Sequence, residues 1–512
     1  MTKNSVMRHM GVKVLCCLVL FLFNINYAQE YIVMGGGYHP LHSEVSIEKD
    51  VIKMVAAIGA KPKTVFYGSG NNTNICDVSE KYRDLDLILS YVLGFEEHQI
   101  TLYECKMRHN KIPSVNYPAT SEFLYQSLDN IRLSETKRPL KIYYAGHGVE
   151  GSIYDEEDLT EFSDDQKSRL NFDANMLSLW EGADITVQEF TEKLDGFEKN
   201  HQIQLLMVQC YSGGFSQINY VKGDIWEYEL SEHNRCGFFS QLPSRVAAGC
   251  TSDLTQNRGY SRYFHEAFIS KKADFDSNGM VSTPEAHAYV TINSQSIDIP
   301  ITTSSQLMHD YKLLSKKATI SPEIKNTSLE ILLEKMSFIE KQTFYGLVER
   351  LNIENRQLRN TPYLFIDQSV KTLEAEYQQL EDKLQPLADN LNTSIVNAQR
   401  VVFEQYPYVF MRFLPNNDQV REQQNQYNND MEALAERIRN DEEFLEDIKT
   451  SSLAYNNAMN LIEQKEREIV VWERLQYLIE TVMIREYLVS TDSELLVKYK
   501  KLLECENSPF LN

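Results

Sequence analysis

The feature that most constrains the fold is an alternation, over residues 31–248, of short apolar segments with amphipathic segments of helix length. Strands separated by helices are typical of βαβ units, in which neighbouring strands run parallel. The six predicted strands are residues 31–34, 64–67, 99–103, 140–145, 204–208 and 245–248, and the predicted helices between them include residues 45–58, 78–93, 121–131 and 187–197. We therefore expect an α/β domain with a mostly parallel six-stranded sheet and helices on both faces.

The polar segments that follow these strands indicate where a functional site lies. Residues 140–145 and 204–208 are almost entirely apolar, as expected for central strands covered on both faces. Glycine-rich polar residues follow them, at 146–148 and 210–214. In open α/β sheets, ligands bind at the edge formed by the carboxyl ends of the strands. We expect the site at that edge.

The second half of the chain has a different composition. After Pro322 glycine nearly disappears, and Leu, Glu, Gln, Asn and Lys recur at helical spacing. Spacings of three and four separate Val370, Leu373, Tyr377, Leu380, Leu384, Leu387 and Leu391. This is the a/d pattern of packed helices. We expect an all-α helical bundle or coiled-coil domain over residues 323–512, after an α/β domain over residues 29–322. Pro386 should start a new helix or kink the old one. The apolar stripes form this domain's own core or, alternatively, bind a protein partner.

Residues 1–28 have the order of a secretory signal peptide. Lys3, Arg8 and Lys13 precede an apolar run at 14–23, and Ala28 is a small residue at its exit. The run is too short to cross a bilayer as a helix, and no second hydrophobic span follows. We expect cleavage near Ala28 and a secreted or periplasmic protein without a membrane span.

Charge and cysteine content exclude some classes of function. The chain has 51 Lys+Arg and 73 Asp+Glu, a net charge of −22, so it should repel the phosphates of a nucleic acid. The cysteines after the signal segment are Cys76, Cys105, Cys210, Cys236, Cys250 and Cys505, without a CxxC pair that would indicate zinc. Export permits disulfides such as Cys76–Cys105 or Cys236–Cys250, and the sequence does not choose between pairings.

Two motifs indicate nucleophilic chemistry. His147 lies between Gly146 and Gly148 at the end of one predicted strand, and Cys210 lies at the end of the next. Adjacent parallel strands are about 4.8 Å apart, so the two side chains can meet. A nearby imidazole activates a thiol by taking its proton or by stabilising the thiolate. The N–H groups of Gly148 and Cys210 are candidates to bind the oxyanion of a tetrahedral intermediate. The structural alternative is a buried cysteine beside a turn histidine.

The GHG triplet and the QCYSGG run, in this order and at the ends of successive strands, resemble the caspase/legumain superfamily of cysteine endopeptidases. Residues 118–121 and 246–253 extend the resemblance, which covers about residues 30–310 and includes bacterial caspase-like domains. It implies a caspase-like sheet in which His147 and Cys210 are catalytic and Gly148 helps to form the oxyanion hole. By the same resemblance, substrate binding falls to Ala248, Gly249, Thr251 and Ser252. No arginine matches the one that binds an acidic or amide side chain in this superfamily, so the residue specificity stays open.

A third motif, at residues 274–285, matches the calcium loop of an EF-hand position by position. Oxygen-bearing side chains occupy positions 1, 3, 5, 9 and 12, Gly279 is at position 6, and a backbone carbonyl supplies position 7. The predicted calcium ligands are Asp274, Asp276, Asn278, Met280, Ser282 and Glu285. Helical patterns flank the loop. The alternative is a polar turn between two helices.

Together these patterns predict an exported cysteine endopeptidase that hydrolyses peptide bonds through a Cys–His dyad, with structural calcium and no organic cofactor. Its partner would be a peptide or protein substrate. Because legumain relatives carry a helical domain over the active site, the resemblance also suggests a zymogen capped by residues 323–512. Two alternatives remain: a transpeptidase that uses the same dyad, and a catalytically inactive caspase-like scaffold that binds a partner.

Overall fold

The computed structural model describes residues 29–77, 87–93, 106–151, 174–225, 229–250, 258–314, 325–410, 418–441, 443–491 and 493–511. The expected signal peptide, the predicted strand 99–103 and the predicted substrate residues Thr251 and Ser252 lie outside these ranges.

A six-stranded, mostly parallel sheet forms the centre of the first half, as predicted. Its strands are β1 (Glu30–Gly36), β2 (Lys63–Tyr67), β5 (Leu140–Gly146), β9 (Ile203–Met207), β10 (Arg235–Phe239) and β11 (Ile301–Thr302), in the order β11-β10-β9-β5-β1-β2. Only the pairing of β11 with β10 is antiparallel in this sheet. Two small antiparallel sheets join β3 (Asn74–Asp77) to β4 (Lys106–His109), and β6 (Gly148–Val149) to β7 (Met176–Leu177) and β8 (Ile185–Thr186).

The prediction of a strand at residues 245–248 is wrong. The sheet continues instead through β10 and β11. The backbone N–H of Ala247 donates to the Cys210 Sγ (3.2 Å), and that of Ala248 donates to Asp298 Oδ1 (2.7 Å). Because these groups bond to side chains, the segment remains an irregular loop. The sequence of β10 escaped prediction because Arg235 and Gly237 interrupt its apolar pattern.

Helices cover both faces of the sheet. The helices of this half are α1 (Val45–Ile58), α2 (Leu87–Leu93), α3 (Ser121–Leu133), α4 (Val187–Asp195), α5 (Tyr260–Ser270), α6 (Thr283–Asn293) and α7 (Thr303–Leu314). On one face, Val33 and Tyr143 pack with residues of α1, α5 and α6. On the other, Ile32 and Ile142 pack with residues of α3 and α4. Alternate residues of each central strand therefore serve opposite cores.

The second half is helical. It contains α8 (Leu329–Lys335), α9 (Phe338–Arg350), α10 (Asn355–Leu358), α11 (Pro362–Gln405), α12 (Asp418–Asn440), α13 (Glu446–Thr491) and α14 (Ser493–Glu506). The long helices α11 and α13 pack against each other. Pro386 lies inside α11, which continues through it as one helix rather than ending there. Its position is exposed, so water can bond the carbonyl that proline leaves without a partner. Among the described helices, none is both long enough and apolar enough to cross a membrane.

The helical half is joined covalently to the sheet. Cys236 of β10 and Cys505 of α14 form a disulfide with a Cα–Cα distance of 6.0 Å. The suggested Cys236–Cys250 pairing is therefore wrong, because Cys250 is a free thiol. Cys76 is also disulfide-bonded, and Cys105 lies outside the described residues. The sequence could not show this pairing because 269 residues separate the two cysteines.

Residues 505–511 then run along the amino-terminal ends of the central strands. Tyr31 donates from its hydroxyl to the carbonyl of Phe510 (2.7 Å), and Lys141 Nζ donates to Ser508 Oγ (3.0 Å). The Phe510 side chain is fully buried in the core on the α1 face. Residues from the far end of the sequence therefore complete the core beneath the sheet.

Candidate active site

His147 lies at the carboxyl edge of the sheet, directly after β5. Its Nε2 is 3.0 Å from Glu44 Oε2 and 3.0 Å from the backbone carbonyl oxygen of His42. Glu44 precedes the first residue of α1, so the start of that helix places a carboxylate against the imidazole. The His42 ring meets the His147 ring edge to face, at 5.9 Å between centroids. These contacts orient His147 from the side opposite β9.

Cys210 follows β9, the strand next to β5, and lies in a tight turn. Tyr211 has a left-handed backbone (φ 56°, ψ 18°), which is uncommon for a residue other than glycine and turns the chain sharply into the 3₁₀ helix Ser212–Asn219. The Cys210 thiol is half-buried and exchanges two contacts with Ala247. It accepts from the Ala247 N–H (3.2 Å) and donates to the Ala247 carbonyl (3.6 Å).

Gly148 explains the second glycine of the GHG triplet. A Cβ at this position would lie 2.0 Å from the Cys210 carbonyl oxygen, so only glycine permits this approach. The Ser178 N–H donates to the His147 carbonyl, which makes positions 147 and 178 a bonded pair of the antiparallel ladder. The Gly148 N–H, one residue on, therefore points away from β7. The backbones of the two predicted motifs are therefore in contact at the carboxyl edge of the sheet.

Within the described residues, no hydrogen bond joins the His147 imidazole to the Cys210 thiol. The thiol nearest to His147 is that of Cys250, which donates to the Gly146 carbonyl (3.3 Å). Charge on Cys250, followed by hydrogen bonds to Cys250 and Glu44, raises the pKa of His147 to about 12, although burial opposes the shift. His147 therefore holds its proton more tightly than a free imidazole does.

The Cys210 thiol has a raised pKa. Burial, followed by charge on Cys250, raises it to about 11, and the Ala247 N–H and the His147 charge only partly offset this shift. At neutral pH Cys210 is consequently almost entirely a thiol in this arrangement. The nucleophile becomes reactive only where His147 or a substrate stabilises the thiolate further.

The predicted substrate residues Ala248 and Gly249 lie in the loop at residues 241–250, beside Cys210. Two residues of α13 hold this loop from the helical half. The carboxylate of Glu473 forms a bidentate ion pair with the guanidinium of Arg245, and one of its N–O distances is 2.7 Å. Arg474 is 1% exposed and donates to the carbonyls of Thr291, Ser294, Ser296 and Asp298 at 2.7–3.1 Å. Asp298 in turn binds the Ala248 N–H. Helix α13 therefore supports the loop that contacts the predicted nucleophile.

Glu44, Cys250 and the buried Asp50 of α1 are the residues of this edge that the motifs did not predict. Glu44 and Asp50 lie at the start of and within the predicted helix 45–58, and Cys250 lies within residues 246–253. Their own side chains matched no motif, and only the fold brings Glu44 to His147 and Cys250 to the Gly146 carbonyl. The only signal for Cys250 in the sequence was that it could be a second free thiol. This signal became informative only when the Cys236–Cys505 disulfide was known.

The described residues contain two groups whose donor atoms are spaced for a metal, within 4.8 Å of one another. One is His42, Glu44 and His147, where Nε2 of His147 is already shared between two oxygens. The other is Asp274, Asp276 and Glu285 in the predicted calcium loop.

The predicted calcium loop at 274–285 follows α5 and includes the first turn of α6. The Gly279 N–H donates to Asp274 Oδ2 (2.9 Å), and Gly279 has a positive φ of 86°. Glu285 is buried; its Oε1 accepts from Phe275 N–H (3.0 Å) and its Oε2 from Ser282 Oγ (2.8 Å). The carboxylates of Asp274, Asp276 and Glu285 come together in this loop. Asn278 donates from its amide to Asp276 Oδ2 (2.8 Å) and accepts at Oδ1 from the Met280 N–H (2.8 Å). The donor set fits a hard, oxygen-preferring cation.

No protein-family model matches this chain, and no curated protein is significantly similar to it.

Proposed function

We propose that this protein is a caspase-like cysteine endopeptidase. One observation carries the proposal: an imidazole held by Glu44 and a thiol in a tight turn follow two adjacent central strands. Both lie at the carboxyl edge of a parallel sheet, the edge at which open α/β sheets bind ligands. Gly148 adds a backbone N–H that points away from β7, and its Cα lies against the Cys210 carbonyl.

In the proposed reaction, the Cys210 thiol releases its proton to water, and the His147 imidazolium stabilises the thiolate that results. The thiolate then attacks a peptide carbonyl. The N–H groups of Gly148 and Cys210 bind the oxyanion; within the described residues, the Cys210 N–H makes no hydrogen bond of its own. His147 then protonates the leaving amine as the C–N bond breaks. Water attacks the thioester and regenerates Cys210. Glu44 keeps the imidazole oriented throughout.

The test is peptide hydrolysis by matched cysteine variants. Cys210→Ala should lower kcat/KM on a mixed peptide library by at least about 1,000-fold, because it removes the nucleophile. Cys250→Ala, the variant of the other free thiol, should still cleave because Cys210 remains, although at a changed rate since Cys250 raises the pKa of His147. A labelled peptide chloromethyl ketone should modify Cys210 in the wild type, located by mass spectrometry. If Cys210→Ala cleaves at the wild-type rate, or if only Cys250→Ala is inactive, the assignment of Cys210 is wrong.

We also propose that calcium binds the loop at 274–285 and that the protein works outside the cytoplasm. Asp274, Asp276 and Glu285 supply three negative charges, and calcium would replace the N–H groups that now bond Glu285. The Cys236–Cys505 disulfide supports the second point, since disulfides persist in oxidising compartments.

A further inference from the structure

A cavity of about 360 Å³ lies between the two halves of the molecule. One wall comes from β10, β11 and α6 of the first half, and the other comes from α9, α13 and α14 of the helical half. Phe338, at the start of α9, lines the cavity and is 48% exposed, which places an opening to solvent beside it. The volume falls within the range of small-molecule sites, about 300–1,000 Å³.

Most of the surface that lines this cavity is apolar. Phe238 of β10, Ala288 of α6, Leu478 of α13 and Leu503 of α14 contribute to it, together with Ile299. A wall of this kind excludes a charged molecule unless an opposite charge faces it, because the charge would lose its water without compensation.

The charged side chains of the wall already have partners. Arg485 pairs with Glu340 at 2.6 Å, and Arg474 donates to four backbone carbonyls. Glu506 accepts from the N–H (2.7 Å) and the hydroxyl (2.6 Å) of Ser304, in the first turn of α7. Among the described residues that line the cavity, no charge is therefore left to compensate that of a ligand. A ligand that fits this cavity is uncharged.

One polar atom of the wall is open to a ligand. His287 of α6 lines the cavity, and its Nδ1 is 2.9 Å from the hydroxyl of Tyr260, which does not line it. Within the described residues, Nε2 of His287 has no hydrogen-bond partner. Burial lowers the pKa of His287 to about 3, so the ring is neutral at physiological pH, and Nε2 donates or accepts according to the tautomer. A hydroxyl group both donates and accepts, so it can bind Nε2 in either tautomer.

We propose that this cavity binds an uncharged, largely apolar small molecule that carries a hydroxyl group, and that the hydroxyl group is hydrogen-bonded to His287 Nε2. Phenols and alicyclic alcohols are the class of ligand that meets these conditions. Such a site is independent of the proposed peptidase function, since neither His147 nor Cys210 lines the cavity. Because both halves contribute walls, a bound molecule would stabilise their packing and raise the melting temperature.

The experiment measures the binding of three probes to the full chain by equilibrium dialysis at pH 7. The first is 2-naphthol, which is flat, apolar and uncharged and carries one hydroxyl group. Naphthalene lacks the hydroxyl group and should bind about 5-fold more weakly, the effect of one hydrogen bond. The anion 2-naphthoate should bind at least about 30-fold more weakly than 2-naphthol, because its charge would be buried without a partner.

Three variants test where the probe binds. His287→Phe keeps a ring but removes Nε2, so the preference for 2-naphthol over naphthalene should disappear. Ala288→Phe places a phenyl group in the cavity and should weaken the binding of both probes at least about 10-fold. Ala57→Phe adds the same group to the exposed surface of α1 and is the matched control, which should bind both probes as the wild type does.

Several results would overturn the proposal. If 2-naphthoate or naphthalene binds the wild type as tightly as 2-naphthol does, the ligand class is wrong. If millimolar 2-naphthol does not bind the wild type, or binds Ala288→Phe equally well, the cavity is not a ligand site. Should Ala288→Phe fail to fold, as its melting curve would show, Thr343→Met fills the cavity from the opposite wall and decides the same point.

Discussion

Glu44 shows how a single residue can set the charge of the site. Its carboxylate is the side-chain acceptor for His147 Nε2, and it lies at the start of α1, where no other group competes for it through a helix cap. Together with Cys250, it raises the pKa of His147. Because a raised pKa means that the folded state binds the proton more tightly, the imidazolium should persist into the alkaline range.

We predict that Glu44→Gln shifts the alkaline limb of the pH–rate profile to lower pH. The amide keeps an acceptor of the same size but removes the negative charge, so the pKa of His147 falls and the imidazolium is lost sooner as pH rises. The stability that this contact adds is present at acidic pH and lost as pH rises through the folded pKa. We expect kcat to fall about 10-fold near neutrality, in line with other losses of a histidine-orienting partner. Kinetics and NMR titration of His147 measure both effects. An alkaline limb identical to that of wild type would show that Glu44 does not act on this charge.

The motifs predicted the site residues that have a characteristic sequence around them. They missed the residues that only the tertiary structure brings to the site. His147 and Cys210 were predicted because glycines occur near them at strand ends. At these glycine positions a Cβ would clash with neighbouring atoms. Glu44 has no such neighbour, and Cys250, although it follows Gly249, does not end a strand. Their role depends on the placement of α1 and of the loop at 241–250 against β5, and sequence spacing does not encode that placement.

At the scale of elements, α13 is the helix that reaches the site. Its consecutive residues Glu473 and Arg474 hold two different segments, one beginning at Arg245 and one ending at Asp298. Both segments converge on Ala247 and Ala248 next to the Cys210 thiol. An inhibitory cap would be expected to block the cleft. These contacts instead lead us to expect that the helical half supports the active loop.

We predict that Glu473→Gln lowers kcat/KM by about 5- to 10-fold, because the loop at Arg245 loses its ion pair, worth about 1 kcal/mol for a partly exposed pair. Steady-state kinetics on the best library peptide provide the measurement. The matched control is Glu463→Gln on the same helix, whose partner Arg467 lies on the surface one turn away. Equal activity of both variants, or a gain in Glu473→Gln, would favour the cap.

The calcium loop gives a second prediction at this scale. Millimolar calcium should raise the melting temperature of the wild type, since a ligand that binds only the folded state stabilises it. Magnesium should do less, because it requires a smaller octahedral site. Glu285→Gln should lose most of the response, as it removes a charge at the bidentate position. If calorimetry detects no heat of calcium binding and the melting curves are the same in chelator and in calcium, the loop is a polar turn and not a calcium site.

The periodicity of apolar residues predicted the regular helices and strands well. Helix α1 was predicted with its observed bounds, and the strands β1, β2, β5 and β9 were found because their apolar runs are uninterrupted. The loop at 245–248 was mistaken for a strand because it is short and apolar, although its hydrogen bonds go to side chains. Apolar composition alone does not show where the backbone donors go.

The whole molecule depends on contacts between distant parts of the chain. We predict that Cys505→Ser lowers the free energy of unfolding by about 2–5 kcal/mol, because the unfolded chain regains the freedom that a long closed loop had removed. Urea unfolding under oxidising conditions measures the loss. Cys250→Ser, which removes a free thiol, is the control and should unfold near the wild-type midpoint. If Cys505→Ser matches that control, the crosslink contributes nothing to stability.

The joining of the two halves could not be predicted from the sequence. A change of composition near Pro322 predicted a helical second half, and the described residues from 325 onward are mostly helical. Composition carries no information on docking. The partners of Arg474, Cys505 and Phe510 are all more than a hundred residues away in the chain.

The packing of Phe510 against β1 has a consequence for the synthesis of the protein. Tyr31 and Phe510 are 479 residues apart, so at a typical rate of synthesis the first strand waits about 25–100 s before its last core partner leaves the ribosome. Until then the underside of the sheet is exposed and the domain is incomplete. A nascent chain in this condition is a natural client for chaperones, because its apolar core stays exposed until residues 505–511 have been made.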